Sequence, residues 1–286
     1  MPDVPGHSRI MSCMSEPAPA TYVMGHNDRE RRRLAVQASI LRRFTEHLFC
    51  RAGITTGMHI LDIGCGVGDL SLLAARLTGR TGSVTAVDMD PAALRVLHDR
   101  ASAEGFQNVT CMESDIHSFQ PANRFDAVVG RHILIHTKDP LRTLIACREW
   151  LQPRGIAAFQ EYDFQQVTPC WPASPVRDGI FTLLNTFFAR AAHANIGSRL
   201  FHLFLKAGFA HPDCRGEFPV DGGPESPHHE WLAEATRSVL PAAKAIDIPG
   251  ASDIDIDTLE SRLRDEARSG SGVPGPVMFS CFARRQ

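Results

Sequence analysis

The densest group of chemistry-bearing residues is Asp62-Ile63-Gly64-Cys65-Gly66-Val67-Gly68-Asp69. A run rich in Ile and Leu ends at Asp62, glycines stand at alternate positions 64, 66 and 68, and Leu70–Leu77 reads as a helix. That pattern describes a strand, a tight turn and a helix. Glycine permits positive φ and leaves no Cβ between the chain and a ligand. The spacing G-x-G-x-G differs from G-x-G-x-x-G, which seats a dinucleotide pyrophosphate on a helix N-terminus. Asp62 and Asp69 would repel such an anion; they suit a cationic or zwitterionic ligand. Further polar candidates follow short apolar runs downstream: Asp88, Asp115, Arg131 with His132, and Glu161 with Asp163.

Positioning these residues takes an alternation of strands and helices. Strands are expected at Met58–Ile63, Ser83–Val87, Val109–Met112, Phe125–Val129 and Ile156–Tyr162. Between them lie helices over Leu70–Leu77, Ala92–Ala103 and Leu141–Leu151. Asp90 caps the second of these, with Pro91 at its first position. Such alternation implies an α/β fold, a parallel sheet with helices on both faces, and ligands bind beyond the carboxyl ends of its strands. Asp62, Asp88, Asp115 and Arg131 all stand at those ends. A helix Ser198–Ala207, a sixth strand Glu217–Val220 and a seventh strand Val277–Ala283 complete the sheet.

The remaining segments frame that core. Residues 1–20 read as a Pro-rich disordered tail and 21–53 as an N-terminal cap region. Within it a helix from Arg29 to Ala52 carries the stripe Leu34, Ile40, Leu41, Phe44, Leu48, and the run Arg29, Arg31, Arg32, Arg33 reads as a solvated face. The cofactor-binding core spans 54–163, a cap insertion 164–194, a return to the core 195–221, a helical insertion 222–275 and the last strand 276–286. The second insertion should hold helices at Glu230–Ala243 and Thr258–Ala267. Together these additions read as a cap over the carboxyl edge of the sheet, where loops carry selectivity.

Bulk properties exclude several function classes. The 286 residues are 43% hydrophobic and 22% charged, with net charge −2, as in an ordinary soluble globular protein. No basic bias favours a dedicated nucleic-acid partner. No apolar run reaches the ~18 residues of a membrane span. Eight cysteines form no C-x-x-C pair, which suggests free thiols in a reducing cytoplasm. His132 and His136 are four apart but lack a companion Glu and a third ligand, so no metal is expected. Asp253, Asp255 and Asp257 alternate as in a calcium loop, yet the glycine and terminal Glu are missing, which leaves helix capping.

Leu61-Asp62-Ile63-Gly64-Cys65-Gly66-Val67-Gly68 resembles motif I of the class I S-adenosylmethionine-dependent methyltransferases, commonly L-D-x-G-C-G-x-G. The resemblance covers about residues 55–165. It implies a Rossmann-like seven-stranded sheet, with the last strand antiparallel between the fifth and sixth, and S-adenosyl-L-methionine as cofactor. Asp88 would then take the ribose hydroxyls, a match between two acceptor oxygens and a diol, with Met89 on the adenine. Asp115 and Ile116 would meet the adenine amino group and ring. Gly64, Cys65 and Gly66 would pass under the methionine part, with Asp62 orienting the loop or facing the ammonium through water, and Arg131 at its border.

The wider pattern, Y-V-M-G-H-x-x-R-E at Tyr22–Glu30 and E-Y-D at Glu161–Asp163, is similar to a subgroup of bacterial small-molecule methyltransferases of natural-product type. Some members methylate indole carbon 3. The implied reaction is an in-line transfer to C, N or O of a small, apolar, aromatic acceptor, for which Phe181, Phe187, Phe188, Phe201 and Phe204 could form a wall or simply pack as core. His132 is either pocket wall or general base, and His136 a packed structural histidine. Glu161 or Asp163 either faces the transfer site or caps a loop. Tyr22, with His26 and Gln37, either closes over the cofactor carboxylate or the substrate, or packs. Trp171–Pro175 could serve as a lid. A nucleic-acid methyltransferase, which the missing N-P-P-Y motif disfavours, and a binding protein without transfer are the alternatives; a homodimer is left open.

Overall fold

A computed structural model describes residues 28–191 and 193–286. Its elements, in chain order, begin with α1 (Asp28–Ala52), β1 (His59–Ile63), α2 (Asp69–Thr78), β2 (Ser83–Asp88), α3 (Pro91–Ala103), β3 (Val109–Glu113) and β4 (Phe125–Arg131). They continue with α4 (Pro140–Trp150), β5 (Leu151–Val167), α5 (Pro175–Ala191), α6 (Ile196–Lys206), β6 (Ala210–Glu217) and β7 (Val220–Gly222). α7 (Pro227–Ala245), α8 (Leu259–Ala267), β8 (Gly272–Pro274) and β9 (Pro276–Arg284) complete the chain.

Strands that are apolar on both faces must be covered on both faces. Ile60, Leu61, Asp62 and Ile63 of β1 are all buried, and so is every residue from Gly155 to Phe164 in β5. The seven-stranded sheet has the order β3-β2-β1-β4-β5-β9-β6. β1 to β5 pair in parallel, and β9 runs antiparallel between β5 and β6. This is the Rossmann-like methyltransferase order. Chain order reverses beside β1, between β2 and β4, which opens the crevice where such sheets bind ligands. Local signals set the helix starts. Asp90 accepts from Ala92 N and Asp139 from Arg142 N, each just ahead of a proline at the first helical position.

Three expectations need correction. The sixth strand is Ala210–Glu217, upstream of the apolar pair Phe218 and Val220. It is an edge strand with only Pro212 buried, so its sequence is largely polar, and the sheet edge tolerates a proline. β5 continues past Tyr162 to Val167. Sequence pattern raises no expectation for α5 in the first insertion or for β8 in the second, which pairs with β7. Cys214 and Cys281 are not free thiols. They sit opposite one another on β6 and β9 and form a disulfide, while Cys50, Cys65, Cys111, Cys147 and Cys170 are free.

Arg33, expected on a solvated face, is buried. Arg29 and Arg32 do lie outside, each 2.7 Å from a carboxylate of α7, Glu234 and Glu230. Among the described residues no helix is long and apolar enough to cross a membrane, and no cluster of side chains could hold a metal ion.

Candidate functional site

The exits of β1, β2, β3 and β4 open on a cavity of about 410 Å³, to which α1, α5 and α7 also contribute side chains. One end is built on the glycine turn. Gly64, Gly66 and Gly68 have φ of 64°, 53° and 89°. A Cβ on Gly64 would lie 2.4 Å from Ile133, and one on Gly68 2.1 Å from Leu97. A Cβ on Gly66, which lines the cavity, would meet nothing within 4 Å. There the bare backbone serves open space, not packing.

The turn is held from several sides. Cys65 N donates to Val87 O at 3.1 Å, and Asp88 Oδ2 accepts from Gly66 N at 2.8 Å. Arg100 donates to Val67 O at 2.6 Å and pairs with Asp69 at 2.8 Å, so the Asp69 charge is already matched. Asp62 is 1% exposed. Its Oδ2 accepts from the Ser71 hydroxyl at 2.5 Å, and its Oδ1 has no partner among the described residues. Burial pushes the Asp62 pKa up to about 7, against the opposing pull of Ser71 and Arg131.

Asp88 also accepts from Asp90 N at 2.9 Å, and Asp115 from His117 N at 2.8 Å. Both carboxylates line the cavity with acceptor capacity beyond these bonds. Met89, 60% exposed, and half-buried Ile116 line it too. Arg131 is steadied by Thr45 at 3.2 Å, whose hydroxyl donates to Gln160.

The other end is aromatic. Tyr162, Phe164, Phe188 and Trp231 line it. Phe164 stacks on Phe188 with centroids 4.4 Å apart, and Tyr162 lies 5.9 Å from Trp231. His132 stacks on Tyr162 at 4.3 Å. Its Nδ1 is 2.9 Å from Gln37 Nε2, whose Oε1 accepts from Arg33 at 2.8 Å and Trp231 Nε1 at 3.0 Å. His132 has φ 55°, a left-handed conformation uncommon outside glycine, though histidine adopts it more readily than most residues. Burial, with Arg131 and Arg33 nearby, holds its pKa well below the ordinary value. Burial likewise lowers His136 to about 4.

Every described residue expected to bind cofactor lies on this cavity: Gln37, Asp62, Gly64, Cys65, Gly66, Asp88, Met89, Asp115, Ile116 and Arg131. So does His132. Tyr22 and His26 lie outside the described residues. Glu161 does not reach the cavity, which corrects its placement at the transfer site. It is fully buried and accepts from the amides of Ile133, Leu134 and Ile135 at 3.0, 2.7 and 3.4 Å. Burial raises its pKa to about 8 against the pull of those amides.

Asp163 is also buried, accepting from Gln165 N and Ser198 N. Side chains alternate along a strand, and on β5 Tyr162 and Phe164 take the cavity side. Of the five phenylalanines singled out, Phe188 lines the cavity; Phe181, Phe187 and Phe204 are core, and Phe201 is 49% exposed. Trp171 is 87% exposed and off the cavity. Asp255 accepts from Asp257 N and the Thr258 hydroxyl in the turn ahead of α8, but no side chain caps the first amides of that helix, so the capping expected of this acidic run is not seen.

Residues 54–193 match a family model described as "Methyltransferase domain". The ubiquinone biosynthesis O-methyltransferase of Xanthomonas campestris is 38% identical over 101 residues, 35% of this chain and 41% of that protein. The aklanonic acid methyltransferase of Streptomyces sp. strain C5 is 32% identical over 114 residues, 40% of this chain and 52% of that one. The chain thus spans about two fifths to one half of the length of these curated relatives. A solved structure of Haemonchus contortus phosphoethanolamine N-methyltransferase 2 with S-adenosyl-L-methionine shares the fold at TM-score 0.54 and 19% identity, over 89% of this chain and 57% of that one.

Proposed function

We propose that the chain is an S-adenosyl-L-methionine-dependent methyltransferase acting on a small, planar, largely apolar metabolite. The observation that carries this is one cavity with a bare-backbone turn and acidic strand exits at one end, continuous with an aromatic chamber at the other. The residues present fit the cofactor. Gly66 leaves room where a Cβ would stand, and the Asp62 oxygen without a partner is suited to an ammonium. Asp88 and Asp115 offer acceptors for a diol and an amino group, and Met89 an apolar face. When bound, the cofactor supplies an electrophilic methyl whose leaving thioether is neutral, so little acid assistance is needed.

The chain's own contribution is then alignment and exclusion of water. Tyr162, Phe164, Phe188 and Trp231 hold a flat acceptor by its faces. Helices α1, α5 and α7 act as the cap that keeps water out, and loops joined to them set selectivity. An indole-containing acceptor of a natural-product pathway is the narrowest reading of this chamber; a phenolic or quinone-like one belongs to the same class.

Calorimetric titration with S-adenosylmethionine, S-adenosylhomocysteine and NADH tests the cofactor. Binding of the first two, without NADH, is expected; NADH binding alone would sink the proposal. Transfer of labelled methyl to a panel of phenols, indoles and amines tests the activity. Cofactor binding with no labelled product from any of them would favour a binding protein.

A further inference from the structure

Accepting the reading above of a cofactor-and-acceptor cavity, we infer that His132 is locked as a hydrogen-bond donor through Nε2–H, and that the acceptor meets it with an oxygen lone pair. The argument starts at Gln37. Its Oε1 lies 2.8 Å from an Arg33 nitrogen and 3.0 Å from Trp231 Nε1. Guanidinium and indole nitrogens only donate. Turning the amide over would set its NH2 against both, so the orientation does not depend on how the two ends of the amide are assigned.

The Gln37 NH2 therefore faces His132 Nδ1, at 2.9 Å, and donates to it. A ring nitrogen that accepts carries no proton, so the neutral imidazole is protonated at Nε2. Burial and the flanking arginines keep that ring neutral.

Nε2 is buried and has no partner among the described residues. Buried donors without acceptors are rare enough to need an explanation. Two features indicate that this one is built. His132 holds a left-handed φ of 55°, the kind of backbone strain that collects at functional sites. Its ring is also clamped against Tyr162, at 20° between planes, on the cavity wall. With Nε2 already protonated, the ring cannot take a proton from the nucleophile. It can stabilise an oxygen that is a carbonyl, a phenolate or an enolate. A phenol or enol of that class loses its proton to bulk water before it is enclosed and binds as the oxyanion; a carbonyl has no proton to lose. Unsubstituted indole, whose only polar group is an N–H, would set donor against donor at this ring, so an indole-containing acceptor has to present an oxygen here as well.

Two ligands of similar size separate the cases: 1-indanone, with a carbonyl, and indole. Both are titrated calorimetrically into the full chain with saturating S-adenosylhomocysteine. Indanone is the more polar, so apolar contact alone would favour indole. The expected result is at least fivefold tighter binding of indanone. Long-range 1H–15N spectra of histidine-labelled protein should show the His132 proton on Nε2.

In Gln37→Glu the second carboxylate oxygen should draw the proton to Nδ1 and remove or invert the preference. If that variant does not fold, His132→Phe keeps the stack without the N–H and should bring the ratio to about one. A wild-type Nδ1–H tautomer, equal or tighter binding of indole, no binding of indanone, or an unchanged ratio in the folded variants would each overturn the inference. Failure of S-adenosylhomocysteine to bind would instead overturn the methyltransferase reading, and the tautomer and ratio are then read on the free protein.

Discussion

At Gly66 and Gly68 one backbone conformation serves two purposes. Both have positive φ, which costs an alanine about 1–2 kcal/mol. At Gly68 the added methyl also collides with buried Leu97, and overpacking adds about 1–3 kcal/mol. Gly68→Ala should therefore lower the unfolding midpoint sharply. Gly66→Ala should leave the fold within about 2 kcal/mol of wild type while cutting S-adenosylhomocysteine affinity more than tenfold, because its methyl stands in the cavity. Urea melts and calorimetry on both variants check this; a Gly66→Ala protein with normal affinity would move the cofactor elsewhere. Asp88 is a second residue-scale case. Its oxygens already accept from Gly66 and Asp90, so Asp88→Ala loses the loop's anchor together with the charge-assisted bonds proposed for a ribose. At about 1.5–3 kcal/mol per charged hydrogen bond, affinity should fall roughly 10- to 100-fold. Calorimetry within twofold of wild type would remove the ribose role.

Among the elements, the turn after β4 shows most directly how the fold sets the site. The segment Ile133–Ile135 presents three amides to one buried carboxylate, Glu161 on β5, and the same turn places His132 on the cavity and Ile133 against Gly64. Glu161→Ala would leave those three donors buried without an acceptor, a cost of about 3–9 kcal/mol at about 1–3 kcal/mol per orphaned group. Thermal melts should drop accordingly, and cofactor affinity should fall with them. A stable Glu161→Ala protein that binds normally but transfers methyl slowly would restore the residue to the transfer site. This turn also shows where sequence reading stops. The parallel strands, the capped helices α3 and α4 and the glycine turn were legible because each follows from local pattern. Glu161 was not, since its partners lie 26 to 28 positions away, and local pattern leaves it open between the transfer site and a loop cap. Tyr162 and Phe164 were missed for the same reason, although alternation along the strand could have found them. β6 escaped because an exposed edge strand carries no apolar alternation. The Cys214–Cys281 bond depends on a register between strands 67 residues apart.

For the whole molecule, burying titratable groups makes stability depend on pH in opposing ways. His136 has its pKa lowered from 6.5 to about 4, so between those values the unfolded chain binds the proton and the native chain does not. Its contribution is complete above pH 6.5 and is lost as pH falls towards 4. Asp62 and Glu161 act with the reverse sign. Their pKa values rise to about 7 and about 8, so their share is complete below the ordinary carboxylate range and declines as pH rises through those values. The wild-type curve between pH 4.5 and 6.5 is thus a partial cancellation, and a single melt cannot apportion it. A difference can. His136→Asn removes one titrating group and leaves both acids in place. Its stability deficit relative to wild type should be largest near pH 7.5 and should shrink by about 2–3 kcal/mol at pH 4.5, given about 1.4 kcal/mol per pKa unit. Urea melts of both proteins at the two pH values measure that change. A deficit that stays constant would mean that His136 accepts its proton without unfolding. The pH dependence of the fold would then lie with the other shifted groups, among them Asp62, Glu161, His132, His228 and His229.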